Sequence, residues 1–284
     1  MMKKKQPMVT IQLIEKYLNH LMEEEKSVAT LKKYRHDLNE LHNYLQGMLL
    51  TKSILIEWKK YLIEKYAPST VNSMLIAVNG YLRFFSWHDL SMKLLKIQKP
   101  LFSDENKELT REEYARLVMT ASKRSNARLS LILQTICATG IRVSELKFIT
   151  IEAVQTGRTE ISNKGKRRVI FLPQQLRKLL RKYAQKHGKI SGPVFTTRTG
   201  KPLDRSNIWR DMKALCTEAK VAPEKVFPHN LRHLFARTFY SLEHDLSRLA
   251  DILGHSSIVT TRIYTAESGT VHARQMGRLG LVIT

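Results

Sequence analysis

The sequence has few cysteines and no long apolar run. Cys137 and Cys216 are the two cysteines among 284 residues, and they lie in apolar helical patterns without metal-ligand spacing. This placement favours buried thiols in a reducing compartment. No window approaches the ~18 uninterrupted apolar residues of a membrane span, and the basic start up to Lys5 is followed by no apolar core of a signal peptide. We therefore expect a cytoplasmic protein with no membrane partner.

Acidic residues are also scarce. The chain has 25 Asp and Glu against 48 Lys and Arg, a formal net charge of +23. Such an excess favours a polyanionic partner, nucleic acid above all, over the alternatives of a basic ribosomal or membrane-surface protein. The hydrophobic content of 43% is sufficient for a packed interior and argues against a disordered basic tail. At this length we expect two domains.

The first hundred residues carry four helical patterns, which predict a small helical bundle. The second pattern repeats apolar residues from Leu31 to Leu45 after an N-cap at Ser27, and the fourth opens after Pro68 with Ser69 predicted as N-cap. Basic residues on the outward faces could contact phosphates, although a solvated face is the simpler interpretation of any one of them. These residues are Lys32, Lys33, Arg35, Lys59, Lys60, Lys65 and Arg83.

Residues 91–109 differ from the helical patterns on either side. Three lysines and Pro100 are followed by the polar run from Ser103 to Asn106. Proline next to a polar cluster is typical of an interdomain linker. A basic linker between two basic segments suggests a clamp around a polyanion.

The segment after residue 109 begins and continues as helix. Thr110 and Glu113 form a capping-box pattern, and an apolar helix is predicted to end at Gly140. Residues 149–154, 158–162 and 169–172 read as short strands of a small antiparallel sheet. A later helix over 204–220 is predicted to bury Trp209. The chain is therefore expected to be mainly α with one small sheet.

The most informative stretch lies between residues 227 and 264. His229 and Arg232 are three residues apart and would share one helix face. Gly254 stops the next helical pattern, so His255 stands at a turn, and Tyr264 follows nine residues later. The break at Gly254 is needed to bring His255 and Tyr264 to one place. A tyrosine among cationic donors can act as a phenolate nucleophile, and those donors suit a phosphate.

Arg142 follows the predicted end of the apolar helix, where its charge needs an anion or an acid. Glu145 lies one turn further on. The pair could be an ordinary surface ion pair. Alternatively, Arg142 could bind a phosphate through both arms while Glu145 orients it. Spacing alone leaves these two interpretations even.

These residues resemble the tyrosine recombinase (phage integrase) family. The family pattern is matched by His229-x-x-Arg232, Leu253-Gly254-His255 and Tyr264, by residues 138–146 around Arg142, and by the turn at Lys164. The resemblance implies an N-terminal four-helix, SAM-like core-binding domain over 1–90, a basic linker over 91–109 and a catalytic domain over 110–264. It also implies a tail over 265–284 that is exchanged between subunits, although a helix closing on its own domain is the alternative.

The resemblance also implies a role for each site residue. Arg142 and Arg232 would hold the nonbridging phosphate oxygens, with Glu145 orienting Arg142 and His255 adding a hydrogen bond. His229 would help to remove the proton from Tyr264, the nucleophile. A hairpin lysine would protonate the leaving 5′ oxygen, and Lys164 matches better than its competitor Lys166. No metal, ATP or other cofactor is implied.

The implied activity is site-specific DNA recombination through a 3′-phosphotyrosyl intermediate. Expected partners are double-stranded DNA with inverted-repeat core sites, other copies of the chain in a tetramer, and accessory proteins where the system uses them. The two-domain build resembles Xer-type recombinases and transposon-encoded resolvases. These enzymes separate cointegrates or dimers. An integrase of a mobile element is the next alternative for the biological role.

Three other functions are compatible with parts of the sequence. His229, His233 and His255 could be zinc ligands, but Arg232 would repel a dication and no cysteine or carboxylate completes the set. A DNA-binding regulator without chemistry would not need all the catalytic residue types. A type IB topoisomerase-like relaxing enzyme fits less well with a separate core-binding bundle and a tail.

Overall fold

The computed structural model of the chain describes residues 7–98, 105–163, 166–197, 199–255, 257–262 and 276–279. The chain divides into two compact units, Met1–Lys99 and Pro100–Thr284. Both are mainly helical, and the second contains a two-stranded antiparallel sheet. The predicted fold class is confirmed, whereas the finer domain boundaries remain predictions.

The first unit is the predicted four-helix bundle. Ser27 caps the second helix by accepting a hydrogen bond of 3.2 Å from the Thr30 amide. The prediction of Ser69 as a cap is wrong, because the fourth helix already begins at Pro68, whose fixed φ and missing N–H suit the first helical position. The four helices are α1 (Ile11–Glu23), α2 (Val28–Leu45), α3 (Lys52–Lys65) and α4 (Pro68–Phe84).

The core of the bundle includes the fully buried side chains of Leu38, Trp58 and Tyr81. The chain after α4 is attached to this bundle. The amide group of Asn79 donates to the Met92 carbonyl and accepts from the Met92 amide, both at 2.8 Å. The start of the segment predicted as a linker is therefore hydrogen-bonded along the first unit.

Several of the basic residues of the bundle are engaged within it. Lys33 forms an ion pair with the buried Asp37, and Arg35 with Glu15. Lys59 donates to a backbone carbonyl at 2.6 Å. Other members of the set are exposed and could meet a polyanion, namely Lys32, Lys60 and Arg83.

The second unit begins as predicted. Thr110 and Glu113 form both hydrogen bonds of the capping box at the start of α5 (Arg111–Lys123). The largely buried α6 (Ala127–Thr139) ends at Gly140, which adopts the left-handed conformation with φ 65°. This turn places Ile141 and Arg142 just beyond the helix end.

The prediction of a strand over 149–154 is wrong. The structure has a short helix there, α7 (Ile151–Thr156), because Thr150 caps it by accepting from the Ala153 amide at 3.2 Å. Gly157 ends it with φ 83°. The two later strands are confirmed as an antiparallel pair, β1 (Arg158–Asn163) and β2 (Lys166–Phe171).

The predicted helix over 204–220 is divided in two. Met212 and Leu215 are buried as expected, but Trp209 is 48% exposed, so the prediction that it belongs to the core is wrong. Of the two cysteines, Cys216 is buried and Cys137 partly buried. The helices of this region are α8 (Gln174–Lys186), α9 (Arg205–Lys213) and α10 (Cys216–Ala219).

The predicted helix break at Gly254 is present in the structure. α11 (Pro228–Glu243) is followed by α12 (Leu246–Leu253), which ends at Gly254 with φ 65°, and then by α13 (Ile258–Arg262). Elsewhere, the described residues contain four short 3-10 turns: His88–Leu90, Glu105–Lys107, Val143–Phe148 and Pro223–Lys225. Among the described helices, none has the length and apolar content needed to cross a membrane.

Candidate active site

Among the described residues of the predicted site, Arg232 is the most deeply buried, with 1% exposure. Its guanidinium donates to the Gly140 carbonyl at 2.5 Å and to the Leu253 carbonyl at 2.6 Å. Carbonyl groups at helix C-termini lack helical partners and carry partial negative charge, so a guanidinium is well placed there. Arg232 thereby ties α11 to the ends of α6 and α12.

His255 lies directly after the Gly254 turn and beside Arg232. Its Nε2 is 3.1 Å from a guanidinium nitrogen of Arg232, and its Nδ1 is 2.9 Å from the Thr261 hydroxyl oxygen. A guanidinium can only donate, so Nε2 accepts and Nδ1 carries the proton donated to Thr261. A phosphate oxygen seated beside Nε2 would require a proton there, either by a tautomer change or by protonation of the ring.

Arg142 caps the 3-10 turn over Val143–Phe148, and Glu145 fixes it in two ways. The Glu145 carboxylate accepts from the Arg142 amide at 2.7 Å and from its guanidinium at 3.1 Å. The side chain of Glu145 is 3% exposed, whereas that of Arg142 is 38% exposed. The pair is therefore not an ordinary surface ion pair, because its acid is buried and its base faces solvent.

Arg142, His229 and Arg232 line one cleft of about 790 Å³. His229 stands on the first turn of α11, one turn before Arg232, as the spacing predicted. Residues of α9 also line the cleft, among them Arg205 and the half-exposed Trp209. This cleft combines fixed positive charge with an exposed aromatic ring, which suits a nucleotide phosphate.

Burial and nearby positive charges lower the pKa of two histidines of the site. The pKa of His255 falls to about 4, mainly because the ring is buried and also because Arg232 and Arg142 are close. The same causes lower the pKa of His229. Both rings are therefore neutral near pH 7 in the DNA-free protein, and a neutral imidazole at His229 can accept a proton.

We expect the stability of the protein to rise with pH between about 4 and 6.5. His233 shares the shift, since burial and then His229 lower its pKa to about 4. In this window the unfolded chain binds more protons than the folded one, so acid favours unfolding. Urea unfolding at a series of pH values should show this slope, and His233→Asn should reduce it. His88→Asn, at an exposed histidine, is the control. An unchanged slope of stability against pH in His233→Asn would contradict the prediction.

Two predicted site residues, Lys164 and Tyr264, lie outside the described residues. In the sequence, β1 ends one residue before Lys164 and β2 begins two residues after it, and α13 ends at Arg262, two residues before Tyr264. The competitor Lys166 is the first residue of β2. The structure thus brings Arg142, Glu145, His229, Arg232 and His255 together, and the placement of the two remaining residues stays a prediction.

Sequence reasoning missed Arg168 entirely. Its side chain is 10% exposed and donates to Glu145 at 2.5 Å. Arg168 is two residues before Ile170 on β2, so both side chains point to the same face, and Ile170 is buried. An arginine at an inward strand position is costly unless it is paired, and this was the available signal.

The fold and this cluster define the class of the protein. The phage integrase family profile matches residues 107–270, and the profile of the phage integrase N-terminal SAM-like domain matches residues 14–89. The chain belongs to the phage integrase family. It is an enzyme of the tyrosine recombinase type, a site-specific recombinase.

Individual relatives extend over most of the chain. The chain is 30% identical to tyrosine recombinase XerD of Xanthomonas campestris pv. campestris, over 94% of this chain and 92% of that protein. It is 29% identical to tyrosine recombinase XerA of Pyrococcus furiosus, over 89% of each.

Solved structures agree on the fold. The chain is similar to XerH site-specific recombinase bound to difH substrate in a pre-cleavage complex, with TM-score 0.70, 21% identity, and 93% of this chain and 83% of that chain covered. It is also similar to a lambda integrase dimer bound to a COC′ core site, with TM-score 0.76, 17% identity, and 92% and 97% covered.

Proposed function

We propose that this chain cleaves and rejoins double-stranded DNA at specific core sites through a 3′-phosphotyrosyl ester on Tyr264. The observation that carries the proposal is the convergence of Arg142, His229 and Arg232 on one cleft, with His255 beside Arg232. From His255 the chain runs through α13 towards Tyr264. Family membership supports the same chemistry.

The cleft supplies what a phosphodiester requires. A DNA phosphate repels nucleophiles by its charge, so catalysis depends on fixed cations at the nonbridging oxygens. In the proposal Arg142 and Arg232 bind these oxygens. The buried carbonyl contacts of Arg232 and the buried carboxylate of Glu145 hold both guanidiniums in place before DNA arrives. His255 donates to the same phosphate once its Nε2 carries a proton.

Tyr264 attacks the phosphorus, the bond to the 5′ oxygen breaks, and a phosphotyrosyl ester forms. A free phenol has a pKa near 10, so little phenolate exists at neutral pH. The neutral His229 accepts the phenolic proton as attack proceeds. Lys164 protonates the departing 5′ oxygen. The ester conserves the energy of the broken bond, so attack by a 5′ hydroxyl of another strand rejoins the DNA.

The proposed partners follow from this chemistry. Two inverted-repeat core sites would bring four copies of the chain together, and the tail over 265–284 would link neighbouring copies. By its resemblance to Xer-type recombinases the chain would resolve cointegrates or dimers, and movement of a mobile element is the second role.

The test is to trap the ester. A DNA duplex that carries the core site and a nick next to the scissile phosphate loses its 5′ hydroxyl strand after cleavage, so rejoining is blocked. The purified protein should form a covalent adduct with this DNA. Mass mapping of the adduct should place the DNA on the peptide that contains Tyr264, and Tyr264→Phe should form none.

Tyr240→Phe provides the matched control, since Tyr240 lies on α11 and its ring meets the His244 ring edge to face rather than lining the cleft. Stable binding without any adduct would indicate a DNA-binding regulator. Adducts on DNA of arbitrary sequence would indicate a relaxing enzyme similar to a type IB topoisomerase. Either result would overturn the proposed function.

A further inference from the structure

Arg168 connects three elements that the site depends on. It projects inward from β2, donates through one arm to Glu145 at 2.5 Å and through the other to the Leu253 carbonyl. Glu145 belongs to the turn that carries Arg142, and Leu253 is the last residue of α12. One side chain therefore fastens the hairpin strand to both the Arg142 turn and the helix end before His255.

The Glu145 carboxylate lies between two guanidiniums. Its Oε1 accepts from Arg142, and its Oε2 accepts from Arg168. The side chain of Arg168 is 10% exposed and that of Arg142 is 38% exposed. The more buried arginine is thus the natural counter-ion of the buried acid, because the acid needs a desolvated partner and Arg142 remains solvated.

This sharing decides the charge that the cleft presents. With Arg168 present, one carboxylate is balanced by one buried arginine, and Arg142 keeps its positive charge for an incoming anion. Without Arg168, the same carboxylate would neutralise Arg142 and draw its guanidinium into a closed pair. Low dielectric surroundings make such an exchange strong.

The Leu253 carbonyl is shared in the same manner. It accepts from both Arg168 and Arg232. Both arginines that would bind the phosphate, Arg142 and Arg232, therefore share an acceptor with Arg168. Arg168 therefore contacts the groups that hold the two phosphate-binding arginines and is not itself among the residues that line the cleft.

We propose that Arg168 is a positioning residue: it serves as the counter-charge of Glu145, so that Arg142 stays positive and correctly oriented for the scissile phosphate. The proposal rests on the proposed function for its cleavage readout. The effect of Arg168 on anion binding in the cleft does not depend on that function.

The first test compares Arg168→Met with Arg168→Lys in single-turnover cleavage of the nicked DNA. Arg168→Met is expected to lower the cleavage rate on the order of 10²-fold, comparable to withdrawing one preorganised donor, with DNA affinity within threefold of the parent chain. Arg168→Lys keeps the charge but not the two-armed contact, and it should retain at least a tenth of the rate.

The second test separates charge balance from mere support of the fold. The double variant Glu145→Gln with Arg168→Met removes the acid together with its counter-ion, and a glutamine oxygen can still accept from Arg142. It should cleave at least tenfold faster than Arg168→Met alone. A structural role would make the double variant no better than the single one, and that result would overturn the proposal.

Arg167→Met is the matched control. Arg167 is the neighbouring residue of β2 and is exposed, so this variant loses the same charge from the same strand without touching Glu145. Its cleavage rate in the bound complex should stay within threefold. A loss equal to that of Arg168→Met would mean that net charge of the hairpin, rather than the shared carboxylate, matters.

Inorganic phosphate tests the same idea without cleavage. Its binding can be followed through the NMR signals of His255 and His229. Arg168→Met should weaken phosphate binding at least fivefold, and the double variant should restore it to within twofold. Should the parent chain form no DNA adduct, the proposed function fails, and this titration still decides the role of Arg168. Unchanged phosphate affinity in Arg168→Met would refute it.

Discussion

Replacement of Arg232 by lysine is expected to reduce DNA cleavage by about 10³-fold or more while leaving DNA binding nearly unchanged. Arginine at this position reaches two carbonyls, Gly140 and Leu253, and stands 3.1 Å from the His255 ring. A lysine retains the positive charge but offers one compact ammonium, which cannot span both carbonyls and a phosphate oxygen. Single-turnover cleavage and equilibrium DNA binding, measured on the same core site, give the two quantities.

Arg232→Ala should show the same loss of cleavage and an additional loss of stability. It leaves the Gly140 carbonyl without its guanidinium donor and the Leu253 carbonyl with Arg168 alone, at a cost of roughly 1–3 kcal/mol in the free energy of unfolding. The lysine variant is therefore the more informative of the two, because it separates the geometry of the donor from its charge. Cleavage by Arg232→Lys within tenfold of the parent rate would show that the two-armed guanidinium is not needed.

Arg237→Ala controls for the structural part of this effect. Arg237 lies on the same helix, pairs with Glu108 and donates to the Leu109 carbonyl at 2.7 Å. Its loss should lower thermal stability while the folded fraction cleaves at the parent rate. If Arg237→Ala abolished cleavage as completely as Arg232→Lys, the α11 arginines would act through the fold, and the assignment of Arg232 to the phosphate would be wrong.

The parts of the site that sequence could predict are those encoded by short-range spacing. His229 and Arg232 share one helix turn, and Gly254 can end a helix because it adopts a positive φ without strain. Each of these features depends on neighbours within a few residues. For the same reason the capping box at Thr110 was predicted correctly.

The features that were missed depend on distant contacts or on competing local signals. The role of Arg168 depends on its hydrogen bonds to Glu145, 23 residues away, and to Leu253, 85 residues away. No local sequence pattern predicts such pairs. Trp209 follows the apolar period of its helix, but periodicity cannot distinguish a core position from the wall of a cleft. The apolar residues after Ile149 suggested a strand, and the cap at Thr150 decided for a helix.

Substitution of Gly254 by alanine is expected to destabilise the protein and to disable cleavage together. The residue has φ 65°, which alone costs a side-chain-bearing residue roughly 1–2 kcal/mol. An added Cβ would also lie 2.9 Å from Cδ of Arg168 and closer still to its Nη1. Arg168 cannot move aside without giving up Glu145 or the Leu253 carbonyl. We expect an additional loss of about 2 kcal/mol in the free energy of unfolding, measured by urea titration.

Gly188→Ala isolates the conformational part of that loss. Gly188 follows α8 with φ 60°, nearly the same backbone conformation, and within the part of the chain that the structure describes no atom would lie within 4 Å of its added Cβ. The difference between the two glycine variants therefore measures the contact with Arg168 alone. In Gly254→Ala with Arg168→Met this contact is relieved, so the added destabilisation should fall towards that of Gly188→Ala. Equal destabilisation by the two single variants would show that Arg168 yields freely, and its proposed anchoring at the helix end before His255 would then be wrong.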